Sequence, residues 1–352
     1  MKTLYIGIHT PGTTSRSRAE ALGRVVGADG LSVIDTDEPF WSATRASRSL
    51  AFRLRIGPVV DGINRQVARA LTRRVDTFDL VWIDKAVYLW PKTMDRLRSR
   101  TGRLVHYTPD AAFYANRSRF FERSMNVFDR LVTTKRFEMD QYTRHVDRRR
   151  VQCVSQSFDA TRFANWNPPA SNRPEAAMVG LCEPDRERCV DTLLNLGVDV
   201  CVGGKGWDAL VDRHRGNARL RYVGSNVFGH DYCDTIGGAS VGLGLLTRRF
   251  PERHTTRTFE IPALGTVLAT ERNDETSRFF NDDEAIFFDP DDYEMLGRRI
   301  GDLLKDPSRL NAMAERGRRR VLRDGRDNDS MIRSVLHDLG VPTDRHADRD
   351  QQ

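Results

Sequence analysis

The chain has 352 residues, 39% of them hydrophobic and 30% charged, with a net charge of +7; that is enough for two domains with separate cores and is ordinary for a soluble enzyme. No apolar run approaches a membrane span, and five cysteines, an odd number without a C-x-x-C pair, argue against a disulfide frame or a zinc site and fit reduced thiols in a cytoplasmic protein. The positive balance comes mainly from arginine and suits phosphate-bearing substrates or an anionic membrane surface; no nucleic-acid-binding motif accompanies it.

The opening "MKTLYIGIH" is too short for a secretory apolar segment and reads as a first strand at 3–8. Pro11-Gly12 predicts a turn, and Thr14 or Ser15 caps a helix through Ala19, Leu22 and Val25. Strand-like runs recur at 31–35, 80–84, 104–108, 130–134 and 151–156. Asp35-Thr36-Asp37 has the look of a D-x-D metal motif, but it follows the second strand, where a turn needs these residue types anyway; no metal is predicted. The arginine-rich stretches 45–55 and 65–74 are amphipathic in places. A solvated helical face explains them; the alternatives are docking to anionic lipid or holding an anionic acceptor.

Around 165–175, "NWNPPASNRPE", three prolines with Asn and Ser predict a linker. Strand-like runs resume at 176–181, 198–204, 220–224, 239–246, 266–270 and 284–289, with helices at 185–196, 291–305 and 307–322. Strands separated by helix-length segments imply parallel pairing with crossover helices. The predicted fold is α/β, two doubly wound Rossmann-like domains at 1–168 and 176–340, followed by a disordered polar tail at 341–352. No sequence repeat relates the halves. Open sheets bind ligands beyond the carboxyl ends of their strands, so a cleft between the domains is the expected site.

Residues 251–271, "PERHTTRTFEIPALGTVLATE", carry the chemistry. The preceding strand is glycine-rich, which lets backbone or ligand come close. Pro262 cannot sit deep in a helix, so a short helix is predicted to begin at Arg257 or Thr258 and to end at Gly265. Its free N–H groups suit a diphosphate, Thr255 and Thr256 add hydroxyls, and Arg257 or His254 adds positive charge. Glu252 falls in the loop and Glu260 one turn inside the helix. Carboxylates placed this way accept hydrogen bonds from the vicinal hydroxyls of a ribose or hexose. Alone, the pair reads as solvated or helix-capping carboxylates; the whole stretch points to a phosphorylated sugar.

Glu252 and Glu260 in an E-x7-E spacing, with Arg257, residues 259–263 and Gly265, then a strand ending in Thr270-Glu271 and the helix after Asp306-Pro307, resemble retaining GT-B glycosyltransferases. The pattern is most like the spore-maturation CgeB-type subgroup. It spans roughly 176–322 and extends more loosely to the N-terminal half. The resemblance implies two Rossmann-like domains facing a central cleft and metal-independent, retaining transfer of a sugar from a nucleotide-diphosphate donor to an acceptor hydroxyl, with no cofactor. It assigns Glu252 to the donor sugar and Glu260 to the ribose, and places Gly204, Lys205 and Gly206 near the nucleotide. The Gly-Arg pair common in such enzymes is Gly180-Leu181 here, which leaves Arg186, Arg188 or Lys205 to balance the diphosphate. In the N-terminal domain Gly12 and Thr13 are candidates for the donor phosphates or the acceptor. Asp110 is a candidate for acceptor contact or proton removal, with His106 inside its strand. The acceptor is a glycan, a lipid-linked molecule or a small molecule. The expected location is cytoplasmic, with peripheral attachment to the inner face of the membrane as the variant. The rival readings are a sugar-nucleotide epimerase and a non-catalytic protein that binds nucleotide sugar or glycan.

Overall fold

A computed structural model describes residues 1–72, 77–169 and 171–343. By contacts the chain divides into one unit of 1–155 with 328–352 and a second of 156–327.

In the first unit β1 (Thr3–Gly7), β2 (Leu31–Asp35), β3 (Phe78–Asp84), β4 (Thr101–Thr108), β5 (Arg130–Thr133) and β6 (Val151–Cys153) form one parallel sheet in the order β2-β1-β3-β4-β5-β6. Its order reverses between β1 and β3, so a crevice opens beyond the carboxyl ends of these two strands. β3 and β4 are buried along most of their length, as near-continuous apolar runs in a sheet covered on both faces must be. The helix Thr14–Val26 buries Ala19, Leu22 and Val25, and its cap is Thr13, one or two residues ahead of the expected Thr14 or Ser15. Thr13 Oγ1 accepts from the Arg16 N–H at 3.3 Å and donates to the Thr10 carbonyl at 2.8 Å.

The second unit repeats the architecture with β7 (Arg173–Val179), β8 (Val200–Gly203), β9 (Leu220–Tyr222), β10 (Ala239–Leu243), β11 (Val267–Glu271) and β12 (Ala285–Phe288). All are parallel, in the order β12-β11-β10-β7-β8-β9. Here the reversal lies between β7 and β10, and the loops leaving those two strands are the ones that carry the motif residues.

The division differs from the expected boundaries at both ends, for a reason of burial. Phe158 and Phe163, ahead of the proline-rich stretch, and Trp166, within it, pack into the second unit's core against Ile236, Phe259 and Leu264. At the other end Met331, Ile332, Val335 and Leu336, on the helix Asn328–Asp338, pack with Tyr5, Leu22 and Val25 in the first. The linker composition at 165–175 therefore falls inside the second unit, and its last three residues, 173–175, open β7. Val341, placed at the start of the expected tail, is buried; residues 344–352 of that tail, like 73–74 of the arginine-rich stretch, lie outside the described residues. Among the described residues no helix is long and apolar enough to cross a membrane.

Candidate functional site

The loop after β7, residues 180–183, and the loop after β8, residues 204–206, are locked together. Gly180 N–H donates to Gly203 O at 2.8 Å and Cys182 N–H to Lys205 O at 2.9 Å, while Trp207 Nε1 donates to Gly180 O at 2.9 Å. Gly204 has φ 119°, and a Cβ there would collide with the Gly180 carbonyl oxygen, so this turn requires glycine on both counts. Lys205 at its tip is exposed.

The loop after β10 leads to the helix Arg257–Ala263, which starts where the proline argument put it, with Gly265 beyond its end at φ 80°. Arg257 Nε donates to Val179 O at 2.7 Å, at the very end of β7. That bond draws the guanidinium over Gly180, where a Cβ would lie 3.2 Å from Arg257 Nη2 and 3.7 Å from Arg186 Nη1. Two arginines thus converge on a residue with no side chain, at the reversal point of the sheet. Among the described residues Arg257 has no carboxylate partner within ion-pair distance. Thr255 Oγ1, two positions before it in sequence, is buried without a hydrogen-bond partner among the described residues, a cost that a ligand's polar group would remove. Thr256 is half-buried, and its carbonyl accepts from the N–H groups of Phe259 and Glu260 at 3.0 and 2.9 Å.

The structure sorts the expected cations. Arg186 is buried on the helix Pro184–Asn195; Nη1 donates to Leu181 O at 3.0 Å, Nη2 lies 3.3 Å from Glu183 Oε2, and Nε has no partner among the described residues. Burial lowers its pKa, Arg257 pushes the same way, and Glu183 opposes both. Arg188 is exposed and pairs with Asp185 and Asp291 at 2.6 and 3.0 Å, so its charge is already met. His254 is buried. Its Nε2 accepts from the Gln156 N–H at 2.9 Å and its Nδ1 lies 2.5 Å from Glu275, so both ring nitrogens are spent on the protein and the expected cation at 254 is withdrawn.

Glu260 lies one turn inside the helix and is buried. Tyr232 donates its hydroxyl to Oε2 at 2.9 Å, and Arg162 Nη2 lies 3.2 Å from Oε1. Burial and the neighbouring carboxylate hold the Tyr232 phenol well above its ordinary pKa, so it stays a donor. Each Glu260 oxygen is held by one donor and retains a second lone-pair direction. Glu252 is half-buried in the loop, and its charge is felt at Arg186. The sequence reading missed Arg162 and Tyr232. Arg162 lies 98 residues from Glu260, on the helix Ala160–Ala164, and no local pattern marks it.

In the first unit, Gly12 (φ 81°) and Thr13 lie in the loop after β1, at that sheet's own reversal point. The Thr13 hydroxyl is committed to capping. Asp110, past the end of β4, receives Lys85 Nζ at 2.6 Å and Asn116 Nδ2 at 2.7 Å on one oxygen. Burial raises its pKa, but Lys85 with Lys135 and Arg18 outweighs that and leaves it lowered. A carboxylate held as a paired anion is a weak base, which argues against proton removal and leaves acceptor contact. Lys85 itself has φ 61°, a strained setting for a lysine. Asp35 and Asp37 bind the loop after β1: Asp35 Oδ1 accepts from the N–H groups of His9 and Asp37 at 3.0 and 2.8 Å, and Asp37 Oδ2 accepts from Thr10 Oγ1 at 2.7 Å.

His106 stacks on Phe121 with centroids 4.3 Å apart inside the core, and burial lowers its pKa to about 3. Unfolded, the imidazole takes up a proton below about 6.5; folded, it does not until about 3. Stability is therefore full above pH 6.5 and falls, by roughly 1 kcal/mol per pH unit from this residue, between the two values. His106→Phe should flatten that part of a denaturation-versus-pH curve; an unchanged slope would remove His106 as its source.

A family model described as glycosyl transferase-like matches residues 186–332. No curated protein sequence matches the chain. Among solved structures, Anabaena HepE in complex with UDP and glucose is similar at TM-score 0.66 and 12% identity, over 97% of this chain and 100% of that one. Sucrose-phosphate synthase from Thermosynechococcus elongatus is similar at TM-score 0.66 and 13% identity, over 97% and 99%. Trehalose-6-phosphate synthase, studied with bisubstrate glycomimetics for glycosyl transfer with retention, is similar at TM-score 0.62 and 13% identity, over 97% and 100%. The chain therefore has the fold of the GT-B glycosyltransferases, with two Rossmann-like α/β domains.

Proposed function

We propose that the chain is a glycosyltransferase of the retaining type that takes a nucleotide-diphosphate sugar in its second domain and passes the sugar to an acceptor hydroxyl. The observation that carries this reading is the convergence of Arg257 and Arg186 on Gly180, at the reversal point of the sheet, with Thr255, whose hydroxyl has no partner among the described residues, two positions before Arg257 in the chain. An unpaired guanidinium over a glycine is a place for phosphate oxygens. Glu260, with a free lone-pair direction on each oxygen, takes the ribose hydroxyls; Glu252 takes the donor sugar. Gly204 lets the nucleotide approach the turn whose tip carries Lys205. The UDP held by HepE and the retention studied in trehalose-6-phosphate synthase support the donor class and stereochemistry. The finer likeness to CgeB-type proteins, carried by residues 257–265, belongs to the same reading.

Catalysis in this reading is stabilisation of charge on the departing diphosphate by Arg257, Arg186 and Lys205, without a metal or cofactor. Asp110 and the turn at Gly12 and Thr13 contribute contacts to the acceptor, whether a glycan, a lipid-linked molecule or a small molecule. The site of action is the cytoplasm.

The test is calorimetry with UDP and the other nucleoside diphosphates, with chelator present, on the wild type and Glu260→Ala. One nucleotide should bind, and at 100 times its Kd should stabilise the fold by about 2.7 kcal/mol; Glu260→Ala should abolish this. Binding of none would end the reading. Nucleotide release only when acceptor is present separates transfer from epimerisation, and binding without turnover identifies a non-catalytic protein.

A further inference from the structure

The first domain carries a surface that transfer of a sugar does not explain. The helix Arg45–Leu54 has ten residues, of which only Ala51 is buried. Around it stand Trp41, Phe52 and Leu54, 60%, 69% and 61% exposed, with Leu50 and Ile56 also exposed. Five of the twelve exposed large hydrophobic residues described in the chain thus fall within sixteen positions. Leu50 and Leu54, one turn apart, share a helix face. Arg48 donates to the carbonyls of Phe40 and Trp41 at 2.9 and 3.1 Å, which holds the Trp41 segment beside the helix. Arg55 ends the helix in the left-handed region (φ 60°) and turns the chain so that Gly57 lies against Leu50. A clustered apolar surface of this kind marks a binding face rather than chance exposure.

Charge selects the occupant. Between Glu38 and Asp61 the sequence has four arginines, at 45, 48, 53 and 55, and no acidic residue. Arg45 and Arg53 have no ion-pair partner among the described residues. Exposed aromatic and aliphatic side chains interleaved with arginine match the boundary between lipid headgroups and acyl chains. We propose that this face, from Trp41 to Ile56, docks the protein onto an anionic lipid bilayer. The proposal stands apart from the reaction assigned above, since it requires neither donor nor acceptor.

The test is sedimentation of the full chain with vesicles of phosphatidylcholine alone and of phosphatidylcholine mixed with phosphatidylglycerol. Binding is expected only to the mixed vesicles and is weakened by salt. Of the other four tryptophans Trp82, Trp166 and Trp207 are buried and Trp90 is half-buried against the first unit's core, so a blue shift in emission on binding that vanishes in Trp41→Phe reports on Trp41. Arg45→Glu with Arg53→Glu should weaken partitioning by about 25-fold or more, since each arginine contributes roughly fivefold. Phe52→Ser with Leu54→Ser should do so as well, and neither pair should alter the melting temperature because all four side chains are exposed. The proposal is overturned if the mixed vesicles bind no better than phosphatidylcholine, or if both double variants bind like the wild type. It is equally overturned if sedimentation in the absence of lipid shows a dimer that Phe52→Ser with Leu54→Ser dissociates, for the face would then serve a second copy of the chain.

Discussion

Arg257→Ala should lower kcat/KM for the nucleotide-sugar donor by about 10²–10³-fold, with most of the loss in kcat. The size follows from what the guanidinium has and lacks. It is anchored through Nε to the Val179 carbonyl, its Nη2 lies over Gly180, and no carboxylate neutralises it among the described residues. A cation fixed in this way needs no reorganisation as charge develops on the departing diphosphate, whereas water replacing it would have to reorient. Arg257→Lys separates charge from geometry: the ammonium keeps the charge but lacks the fork that holds Val179 O while addressing an anion, so it should restore only part of the activity. The anchor is also a structural bond, so Arg257→Ala must be compared with the wild type by thermal melting. A melting point within a few degrees and a large loss of kcat support the assignment. Equal losses in the lysine and alanine variants, or a full loss explained by unfolding, would remove it.

The chemistry near Glu260 shows how far a sequence reaches. The helix start at Arg257 and the depth of Glu260 follow from local rules on proline and helix periodicity, and the structure has both; the helix ends at Ala263, two residues before the left-handed Gly265 expected to stop it. The strand runs were legible for the same reason: a parallel strand buried on both faces leaves a continuous apolar signature. What was not legible depends on tertiary contact. Nothing near Arg162 says that it will meet Glu260, because the pairing is set by how the segment before β7 folds over the second sheet. His254 misled for the converse reason. A histidine in a ligand-binding loop looks available until Gln156 and Glu275 are seen to occupy its two nitrogens. The domain boundary failed in the same way. Prolines at 168 and 169 mark an irregular segment correctly, whereas Pro174 falls inside β7, and burial of Phe158, Phe163 and Trp166 decides which core owns the segment.

Breaking the buried Arg18–Asp84 pair should destabilise the first domain by about 3–5 kcal/mol, more than any surface ion pair in the chain would. Asp84 ends β3, and its Oδ2 accepts from Tyr5 Oη and Arg18 Nε, each at 2.8 Å, while Arg18 Nη2 lies 2.8 Å from the same oxygen as an ion pair. Arg18 is buried over the Tyr107 ring, 4.8 Å from its centroid. Asp84→Ala leaves this guanidinium in the core without its counter-charge, and the desolvation it suffered in folding is then uncompensated. Arg18→Met with Asp84→Leu removes both charges and should cost much less than the sum of the single changes, because the coupling is lost together with the penalty. In a thermal melt Asp84→Ala should lower the transition of the first domain by about 10 °C or more. The second domain carries its own core and should keep its transition, so nucleotide binding at Glu260 should survive at temperatures where the first domain has melted. Additive single and double variants would mean that the pair contributes packing and not charge compensation. The consequence for function is local: Lys85, whose ammonium holds Asp110, follows Asp84 directly in the chain, so loosening the end of β3 should impair use of the acceptor before it touches the donor.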